Sequence, residues 1–542
     1  MRVRCPPRAP CLDPTHLLVL RVRTSSGSWD GLCSQVVDFL HADVIRLTVD
    51  GTEATGFRSP DSPALWIRDH SDILRAGVLI HADVQSAVDL FAAHQSASGR
   101  VFDYVTTEAG TEPENWEKWV RVPVEADVEF RFVKAAYLAW QASGDDAWIR
   151  RLLPRLDAAL DYTRTHPWRW DGALDLPKRA YTPDTWDFDY TAGRNPWLNF
   201  SVTEDTFWGV MHGDVSGVYQ AMRLLAQLHD RFGDQDEADR RRADAEALRE
   251  RANKLLFNGR FYTHFHKITP VTIDGVDEAE QLTLSNPSDV NRGLATHEIA
   301  VAILGEYRRR RDATDAFAEW FSVDPPFPAG TFGDDKLVPG AYVNGGVMPL
   351  VGGELARAAF EHGFEAYGVQ ILDQYRRMIA ESGESYLWYF PDGTASTPET
   401  STSPDAQPTD GWGSSAMLWA FTEGLCGVVD QEHSYRRVRC APRWAATDER
   451  TADVRLSYAA SGAGFGYRYT HDAEACTIGL TFDAEAEVAL HLLLPDGAAT
   501  GTVVWAGEAV PSSVSTVEAS VYLDAAGTAA PGTDVEVRYA LA

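Results

Sequence analysis

Residues 125–162 read EADVEFRFVKAAYLAWQASGDDAWIRRLLPRLDAALDY, which contains two apolar segments on either side of a short polar turn. From Glu125 to Gln141, apolar residues occupy almost every side of the predicted helix. This distribution is typical of a helix that is buried on every side. From Asp145 to Tyr162 they follow one stripe with the 3.6-residue period of an amphipathic helix. Only Ser143-Gly144-Asp145 separates the two segments, and so short a turn predicts an antiparallel helical hairpin.

The same hairpin pattern recurs further along the chain. A second short turn, Phe232-Gly233-Asp234, follows a helical stripe from Asp205 to Leu228, and a third is Glu361-His362-Gly363. From about Trp29 onward, roughly a dozen segments show this periodicity. Six hairpins that close into a toroid are the natural architecture for that number. A solenoid of helical repeats is the alternative, but the sequence has no fixed repeat length.

The pattern changes near Tyr435. Beyond it come short alternating runs, Val454–Tyr458, Val488–Leu492 and Val535–Tyr539, which Gly, Pro and Asp separate. Such runs predict a small β-sandwich. We therefore expect a mainly α protein, an (α/α)6 toroid of helical hairpins with a C-terminal β-sandwich domain. The expected limits are 1–60 for an N-terminal segment of uncertain structure, 61–432 for the catalytic domain and 433–542 for the sandwich.

Charge and composition exclude several classes of partner. The formal net charge is −30, so the surface repels nucleic acid and anionic membranes, and we expect neither as a partner. No apolar run is long enough to span a membrane, and prolines interrupt the N-terminal stretch where a signal peptide needs continuous apolar residues. The six cysteines form no CxxC pair and no metal-ligand spacing, which is typical of reduced thiols. We expect a cytoplasmic protein with no metal and no cofactor, and the sequence does not give its oligomeric state.

Polar and aromatic residues concentrate in three loops between helices, where binding sites are commonly built. The first loop contains Trp66, Arg68 and Asp69. An adjacent Arg and Asp can form several hydrogen bonds to vicinal hydroxyls, and a Trp can stack on a sugar ring. The alternative interpretation is a surface ion pair beside a helix N-cap.

The second and third loops supply candidate acids. Asp184, Asp187 and Asp189 lie among aromatic residues, which would raise the pKa of a carboxyl group as a general acid requires. Glu384 follows a helix near the end of the helical region, and Asp410–Ser415 then opens the last helix. The alternatives are a cluster of Asx-turns in the second loop and an ordinary loop acid in the third. A further pair, His212 and Asp214, is interpreted as core hydrogen bonding rather than catalysis.

Four motifs in this order resemble those of glycosidases built from helical hairpins. Trp66-Ile67-Arg68-Asp69 resembles the Trp-x-Arg-Asp substrate-binding motif of glucoamylase-type enzymes, and Trp186-Asp187 resembles the segment with their general acid and the Gly-Trp-Asp-Phe segment of trehalases. Glu384-Ser385-Tyr386, followed by Gly411–Ser415, is similar to the base segment of both families. Pro339–Gly346 looks like the Asn-Gly-Gly loop of several relatives.

The resemblance covers residues 65–430 and implies a six-hairpin (α/α)6-barrel glycoside hydrolase. It implies an inverting enzyme acting on oligosaccharides or small glycosides, with Asp187 as the general acid and Glu384 as the general base. Asp184 or Asp189 remain alternatives for the acid, and Glu381 for the base. A disaccharide phosphorylase, a non-hydrolytic sugar-binding protein and an epimerase-type toroid remain alternative functions. The carbohydrate partner would contact the following residues: Trp66, Arg68, Asp69, Trp186, Asn344, Trp388 and Trp412.

Overall fold

The computed structural model describes residues 20–58, 64–107, 116–119, 126–185, 202–401, 409–472, 475–482 and 484–541. Twelve α-helices lie within these residues, and a π-helical turn, Ala420–Leu425, continues the last of them. None of the described helices combines the length and the apolar character needed to cross a membrane. The helices are α1 (Asp30–Ala42), α2 (Ile67–Gly77), α3 (Ser86–Ala93), α4 (Val128–Ser143), α5 (Asp146–Thr165), α6 (His212–Arg231), α7 (Gln235–Leu256), α8 (Ser285–Asn291), α9 (His297–Ala313), α10 (Pro349–Glu361), α11 (Glu365–Ser382) and α12 (Gly411–Trp419).

Strands are short in the helical region and longer near the C-terminus. The described strands are β1 (Leu20–Thr24), β2 (Val44–Val49), β3 (Thr52–Phe57), β4 (Leu65–Trp66), β5 (Tyr104–Thr107), β6 (Trp116–Trp119), β7 (Trp170–Asp171), β8 (Leu176–Pro177), β9 (Arg179–Ala180), β10 (Trp208–Val210), β11 (His266–Lys267), β12 (Leu282–Thr283), β13 (Val323–Asp324), β14 (Val428–Asp430), β15 (Arg437–Cys440), β16 (Thr451–Ser457), β17 (Gly464–His471), β18 (Ala475–Phe482), β19 (Ala486–Leu493), β20 (Ala498–Trp505), β21 (Glu508–Val510), β22 (Ser512–Val517), β23 (Ser520–Ala529) and β24 (Asp534–Leu541).

The helices fall into an inner and an outer set. Every residue of α2 is buried, and in α10 only the last residue, Glu361, is not. Helix α7, by contrast, buries a single stripe that includes Ala238, Ala245, Leu248 and Ala252 and exposes most of its charged residues. A helix that is apolar all round needs neighbours on every side, whereas a striped helix covers an inner neighbour with one face. The even-numbered helices are therefore the inner set.

Contacts between the inner helices follow the order of the chain and return to its start. Helix α2 contacts α4, α4 contacts α6, α6 contacts α8, α8 contacts α10, α10 contacts α12, and α12 contacts α2. The odd-numbered helices contact the inner ones from outside, for example α5 against α4 and α6, and α11 against α10. Each inner helix is thus joined to the next through an outer helix.

The α4–α5 hairpin has the local signals that its sequence predicts. Gly144 has a φ of +69°, which is the left-handed region that favours glycine, and its N–H donates to the carbonyl oxygen of Trp140 at 2.7 Å. The side chain of Asp145 accepts a hydrogen bond from the backbone N–H of Trp148 at 2.9 Å and caps α5. The predicted hairpin is confirmed.

The helix predicted to begin at Asp205 begins seven residues later in the chain, at His212. The intervening segment contains β10, which pairs with β9 on one side and β11 on the other. Apolar runs as short as Phe207-Trp208 and Val210-Met211 do not distinguish a helix from a strand, so the pairing partners decide the outcome. The prediction was wrong at this boundary and correct for the rest of α6.

Two sheets form the region after α12. The seven-stranded sheet has the order β1-β16-β17-β18-β24-β20-β21, and the five-stranded sheet has the order β14-β15-β19-β23-β22. All neighbours are antiparallel except β15 and β19. The predicted runs Val488–Leu492 and Val535–Tyr539 fall within β19 and β24, and the run Val454–Tyr458 falls within β16 except for its last residue. Strand β1 comes from the opposite end of the chain and places Leu20 opposite Leu456. The domain limits at 60 and 432 stay a prediction.

Candidate active site

The starts of the inner helices carry many of the buried charged groups. Because successive inner helices are joined through antiparallel outer helices, they all begin at the same end of the helical region. Direct contacts support this arrangement: Arg68 in α2 binds Asp127, which precedes α4, and His212 at the start of α6 binds Asp289 in α8. We call this end the helix-start face. It is defined by the first residues of the six inner helices: Ile67, Val128, His212, Ser285, Pro349 and Gly411.

The first predicted motif lies on the helix-start face. The guanidinium group of Arg68 donates two hydrogen bonds to Asp127, from Nε at 2.7 Å and from Nη2 at 3.1 Å. Burial would raise the pKa of Asp127, but the guanidinium groups of Arg68 and Arg131 outweigh it and lower this pKa to about 2. Asp69 is buried beside Arg68 and adds to the negative charge around it. The motif is therefore a buried ion cluster rather than a surface ion pair.

The two predicted tryptophans at the starts of inner helices are buried. The ring of Trp66 packs against the ring of Tyr104 in a tilted arrangement, with a centroid distance of 4.0 Å and an interplanar angle of 31°. The indole N–H of Trp412 donates to Asp72 Oδ2 at 3.0 Å, which links the start of α12 to α2. Their predicted contact with substrate stays a prediction.

Asn344 and Trp388 are also buried, in the loops that flank α10 and α11. Asn344 Oδ1 accepts a hydrogen bond from the backbone N–H of Phe327 at 2.7 Å, and its amide nitrogen donates to the carbonyl oxygens of Phe327 at 3.1 Å and Leu337 at 3.0 Å. Trp388 packs edge-on against Phe390 with a centroid distance of 4.8 Å. The amide of Asn344 thus holds its own loop together, and a role of either side chain toward substrate stays a prediction.

The described part of the second predicted loop contains Asp184. Its carboxylate accepts hydrogen bonds from the backbone N–H of Ser285 at 2.9 Å and from the Ser285 hydroxyl at 2.7 Å. His212 Nε2 lies 3.8 Å from Asp184, and its Nδ1 lies 2.5 Å from Asp289 Oδ2. Burial would raise the pKa of Asp184, but His212 and the hydrogen bonds lower it. An ionised carboxylate with these partners is suited to fixing the loop and poorly suited to donating a proton.

Trp186 and Asp187, the predicted stacking residue and general acid, lie outside the described residues, as does the alternative acid Asp189.

Asp214, in the first turn of α6, is a buried acid on this face with a raised pKa. Burial raises its pKa to about 6, although the nearby Arg179 opposes the rise. Arg179 Nη1 lies 3.6 Å from Asp214 Oδ1, which is too long for a hydrogen bond. The other oxygen, Oδ2, has no hydrogen-bond partner among the described residues. The sequence interpretation of Asp214 as a core hydrogen-bonding group left out this property.

Glu384 lies on the connection between α11 and α12 and is half-buried. Gly383 ends α11 in the left-handed region with a φ of +74°. The hydroxyl of Ser382 donates to the carbonyl oxygen of Glu384 at 2.8 Å, and the hydroxyl of Thr409 donates to Glu384 Oε2 at 3.2 Å. Thr409 comes two residues before α12, so the carboxylate of Glu384 lies beside the helix-start face, at the same end as the first motif.

The acids of this face that sequence reasoning missed include Asp127 and Asp289. Asp127 had a usable signal, because it directly precedes a helix that is apolar all round and an acid is favourable at a helix N-terminus. Asp289 had none, because its partner His212 is 77 positions away in the chain.

One group of acids and a histidine in the described residues has metal-ligand geometry: Asp157, His229 and Glu237. His229 belongs to the last turn of α6, so this group lies at the end opposite the helix-start face. The guanidinium group of Arg241 donates to Asp157 at 3.0 Å and to Glu237 at 2.7 Å. Ion pairing with a buried arginine therefore accounts for the cluster.

Several solved structures with a similar fold are glycoside hydrolases. An α-L-rhamnosidase from Dictyoglumus thermophilum is 10% identical, with a TM-score of 0.62, over 96% of this chain and 50% of that chain. The α-L-rhamnosidase of Streptomyces avermitilis, complexed with L-rhamnose, is 12% identical, with a TM-score of 0.58, over 96% of this chain and 42% of that chain. This chain therefore spans about half the length of these rhamnosidases.

A smaller enzyme is matched over almost its full length. The mannosylglycerate hydrolase of Thermus thermophilus is 16% identical, with a TM-score of 0.51, over 72% of this chain and 99% of that chain. No family model matches the sequence, and no curated protein sequence matches it. At such identities the likeness shows the fold alone. The predicted resemblance to helical-hairpin glycosidases is confirmed at that level.

Proposed function

We propose that the chain is an inverting glycoside hydrolase built on an (α/α)6 toroid with a C-terminal β-sandwich. The observation that carries the proposal is the half-buried carboxylate of Glu384 beside the start of α12, at the same end as Arg68 and Asp127. The cyclic order of contacts among the inner helices supports the toroid. The similarity to rhamnosidases and to mannosylglycerate hydrolase supports hydrolysis of a glycosidic bond. The limits 61–432 and 433–542 belong to the same proposal.

Two carboxyl groups act as the general acid and the general base of the proposed reaction. Asp187 protonates the leaving glycosidic oxygen, and Glu384 removes a proton from the attacking water. Inversion needs room for that water, so the two carboxyl groups should lie roughly 6.5–9.5 Å apart. The ionised state and hydrogen bonds of Asp184 support Asp187 over Asp184 as the acid.

The first motif binds the sugar ring in this proposal. Arg68 and Asp69 form hydrogen bonds to hydroxyl groups, and Asp127 orients Arg68 by its two hydrogen bonds. The aromatic and amide groups proposed to complete the site are Trp66, Trp186, Asn344, Trp388 and Trp412.

The substrate is an oligosaccharide or a small glycoside. α-L-Rhamnosides and mannosylglycerate are the first candidates, because the solved structures with this fold are named for them. A phosphorylase would use phosphate in place of water, but the negative charge of Glu384 would repel phosphate. A cytoplasmic location is part of the proposal. The described cysteines, Cys33, Cys426, Cys440 and Cys476, are buried free thiols, which supports a reducing compartment.

A substrate panel tests the proposal. We would assay nitrophenyl glycosides, including the α-L-rhamnoside, together with mannosylglycerate and natural disaccharides, with and without phosphate. Proton NMR of the first product, recorded before mutarotation, should show the inverted anomer. A retained anomer would contradict Glu384 as a base, and phosphate-dependent cleavage would favour the phosphorylase. Isomerisation without cleavage would favour the epimerase-type alternative, and sugar binding without any turnover would favour a binding protein.

A further inference from the structure

The start of α12 is already occupied by carboxylates. Asp410 accepts hydrogen bonds from the backbone N–H groups of Trp412 at 3.0 Å and Gly413 at 2.9 Å. Asp43, at the end of α1, accepts one from the backbone N–H of Gly411. These are the first N–H groups of the helix, which would otherwise bind a nearby anion. The helix start therefore offers none of these three donors to Glu384.

Thr409 supplies the hydrogen bond that the helix does not. Its hydroxyl donates to Glu384 Oε2 at 3.2 Å. No other hydrogen bond to this carboxylate occurs within the part of the chain that the structure describes, so Oε1 remains open there. The neighbouring backbone groups, the N–H of Asp410 and the carbonyl oxygen of Ser385, form a hydrogen bond of 3.0 Å. The two segments are thus held side by side with one carboxylate oxygen fixed.

A buried tyrosine makes this arrangement rigid. The Tyr375 hydroxyl in α11 lies within hydrogen-bond distance of the Ser385 hydroxyl, at 3.2 Å, and of the Ser414 hydroxyl in α12, at 2.9 Å. Tyr375 is fully buried, so α11, the loop after Glu384 and α12 share one anchored point. A locked support of this kind keeps an acid–base group in the geometry that its reaction needs.

We propose that Thr409 is a positioning residue for Glu384, holding Oε2 so that Oε1 receives the proton of the attacking water. The inference rests on the proposed role of Glu384 as the base. In this step the water oxygen bonds to the anomeric carbon while its O–H bond breaks and the proton goes to Oε1. The glycosidic C–O bond breaks with its electron pair leaving on the glycosidic oxygen, which takes the proton of Asp187. Charge and atoms balance without any further reactant.

The test compares Thr409→Val with Thr409→Ser. With p-nitrophenyl α-L-rhamnoside, or whichever nitrophenyl glycoside the panel finds to be cleaved, Thr409→Val should lower kcat by about 10- to 100-fold and change KM little. The acidic limb of its kcat/KM profile should move to higher pH, because a hydrogen bond that favours the ionised carboxylate is lost. Thr409→Ser keeps the donor and should restore both the rate and the profile. Thr400→Val is the matched control, because the described partner of that hydroxyl is Thr397 in its own loop.

The experiment distinguishes failure of the role proposed for Thr409 from failure of the role proposed for Glu384. If Thr409→Val matches the unaltered enzyme in rate and pH profile while Glu384→Gln abolishes turnover, the positioning role is overturned and the proposed base survives. If Thr409→Val and Thr409→Ser are equally slow with unmoved profiles, the residue is merely structural and the inference also fails. If Glu384→Gln retains full turnover, the assignment of the base itself is wrong. Thermal unfolding of each variant identifies any that fails to fold.

Discussion

Arg68 and Asp127 join the starts of α2 and α4 by two hydrogen bonds, 2.7 and 3.1 Å long, between a guanidinium fork and both carboxylate oxygens. Both side chains are buried, so each neutralises a charge that the interior would otherwise disfavour. A lysine could not reproduce this two-point contact, because its ammonium is a single charged centre on a flexible chain.

Replacing only one partner of this pair should be costly. Asp127→Ala leaves Arg68 charged and buried, and we expect the free energy of unfolding to fall by about 3 kcal/mol, measured by urea denaturation. The double variant Arg68→Met/Asp127→Leu should recover most of the lost stability but no glycosidase turnover, because it removes the proposed sugar contact. A single variant as stable as the unaltered chain would show that the buried pair does not contribute in this way.

Asp214 should make stability depend on pH in the direction opposite to that of an ion-paired acid. Its folded-state pKa of about 6 lies above its ordinary value of 3.8, so the native state binds this proton more tightly than the unfolded chain does. The group therefore destabilises the fold at neutral pH, by at most about 3 kcal/mol, and this effect disappears as the pH falls through 6 toward 4.

The amide variant Asp214→Asn isolates this effect. Its urea midpoint should exceed that of the unaltered chain at about pH 7.5, and the difference should shrink by about pH 4.5, where the native carboxyl is protonated. A difference that does not change with pH would assign the effect to packing rather than to charge.

Substrates with different leaving groups should distinguish the proposed catalytic role of Asp187 from the structural role of Asp184. Asp187→Asn should slow cleavage of an unactivated glycoside by about 10²–10⁴-fold, and a dinitrophenyl glycoside should partly restore the rate, because its leaving group needs little protonation. Asp184→Asn should instead lower stability, since it weakens two hydrogen bonds to Ser285. If the dinitrophenyl glycoside restored the rate of Asp184→Asn but not that of Asp187→Asn, Asp184 would be the general acid instead of Asp187.

Trp412 has a structural contact that can be distinguished from its predicted contact with sugar. Trp412→Phe keeps an aromatic face but removes the indole N–H that donates to Asp72, so we expect a loss of about 1–2 kcal/mol in the free energy of unfolding. KM should change little in this variant and rise in Trp412→Ala, which removes the ring. Equal KM values for both variants would exclude the ring from the binding site.

The sequence predicts those parts of the fold whose causes are local. Gly144 and Asp145 mark the α4–α5 turn because a left-handed residue and a helix cap are both readable from residue type. The start of α6 was misplaced because pairing with β9 and β11, which are distant in sequence, overrides the local pattern. The pairing of β1 with β16 has no local signal at all.

For the candidate site, too, the sequence predicts the local motifs but not the contacts between distant residues. Its loops and the Trp66-to-Asp69 motif could be found by residue type, and the structure brings that motif and Glu384 to one end of the helices. The partners that set their chemistry could not be found in this way. Asp127 reaches Arg68 across 59 positions, and Thr409 reaches Glu384 across 25 positions. Such contacts follow from the arrangement of the helices rather than from neighbouring residues.

The pairing of Leu20 with Leu456 also sets the timing of folding during synthesis. About 430 residues lie between the two strands, so at about 5–20 residues per second β1 leaves the ribosome roughly 20 to 90 s before its partner exists. Throughout that interval its backbone donors and acceptors are open to incorrect partners, as in any unpaired edge strand. The seven-stranded sheet also contains β24, the last described strand, so its final strand is synthesised after all strands of the five-stranded sheet. A nascent chain stalled before β16 should be markedly more prone to aggregation than the released protein.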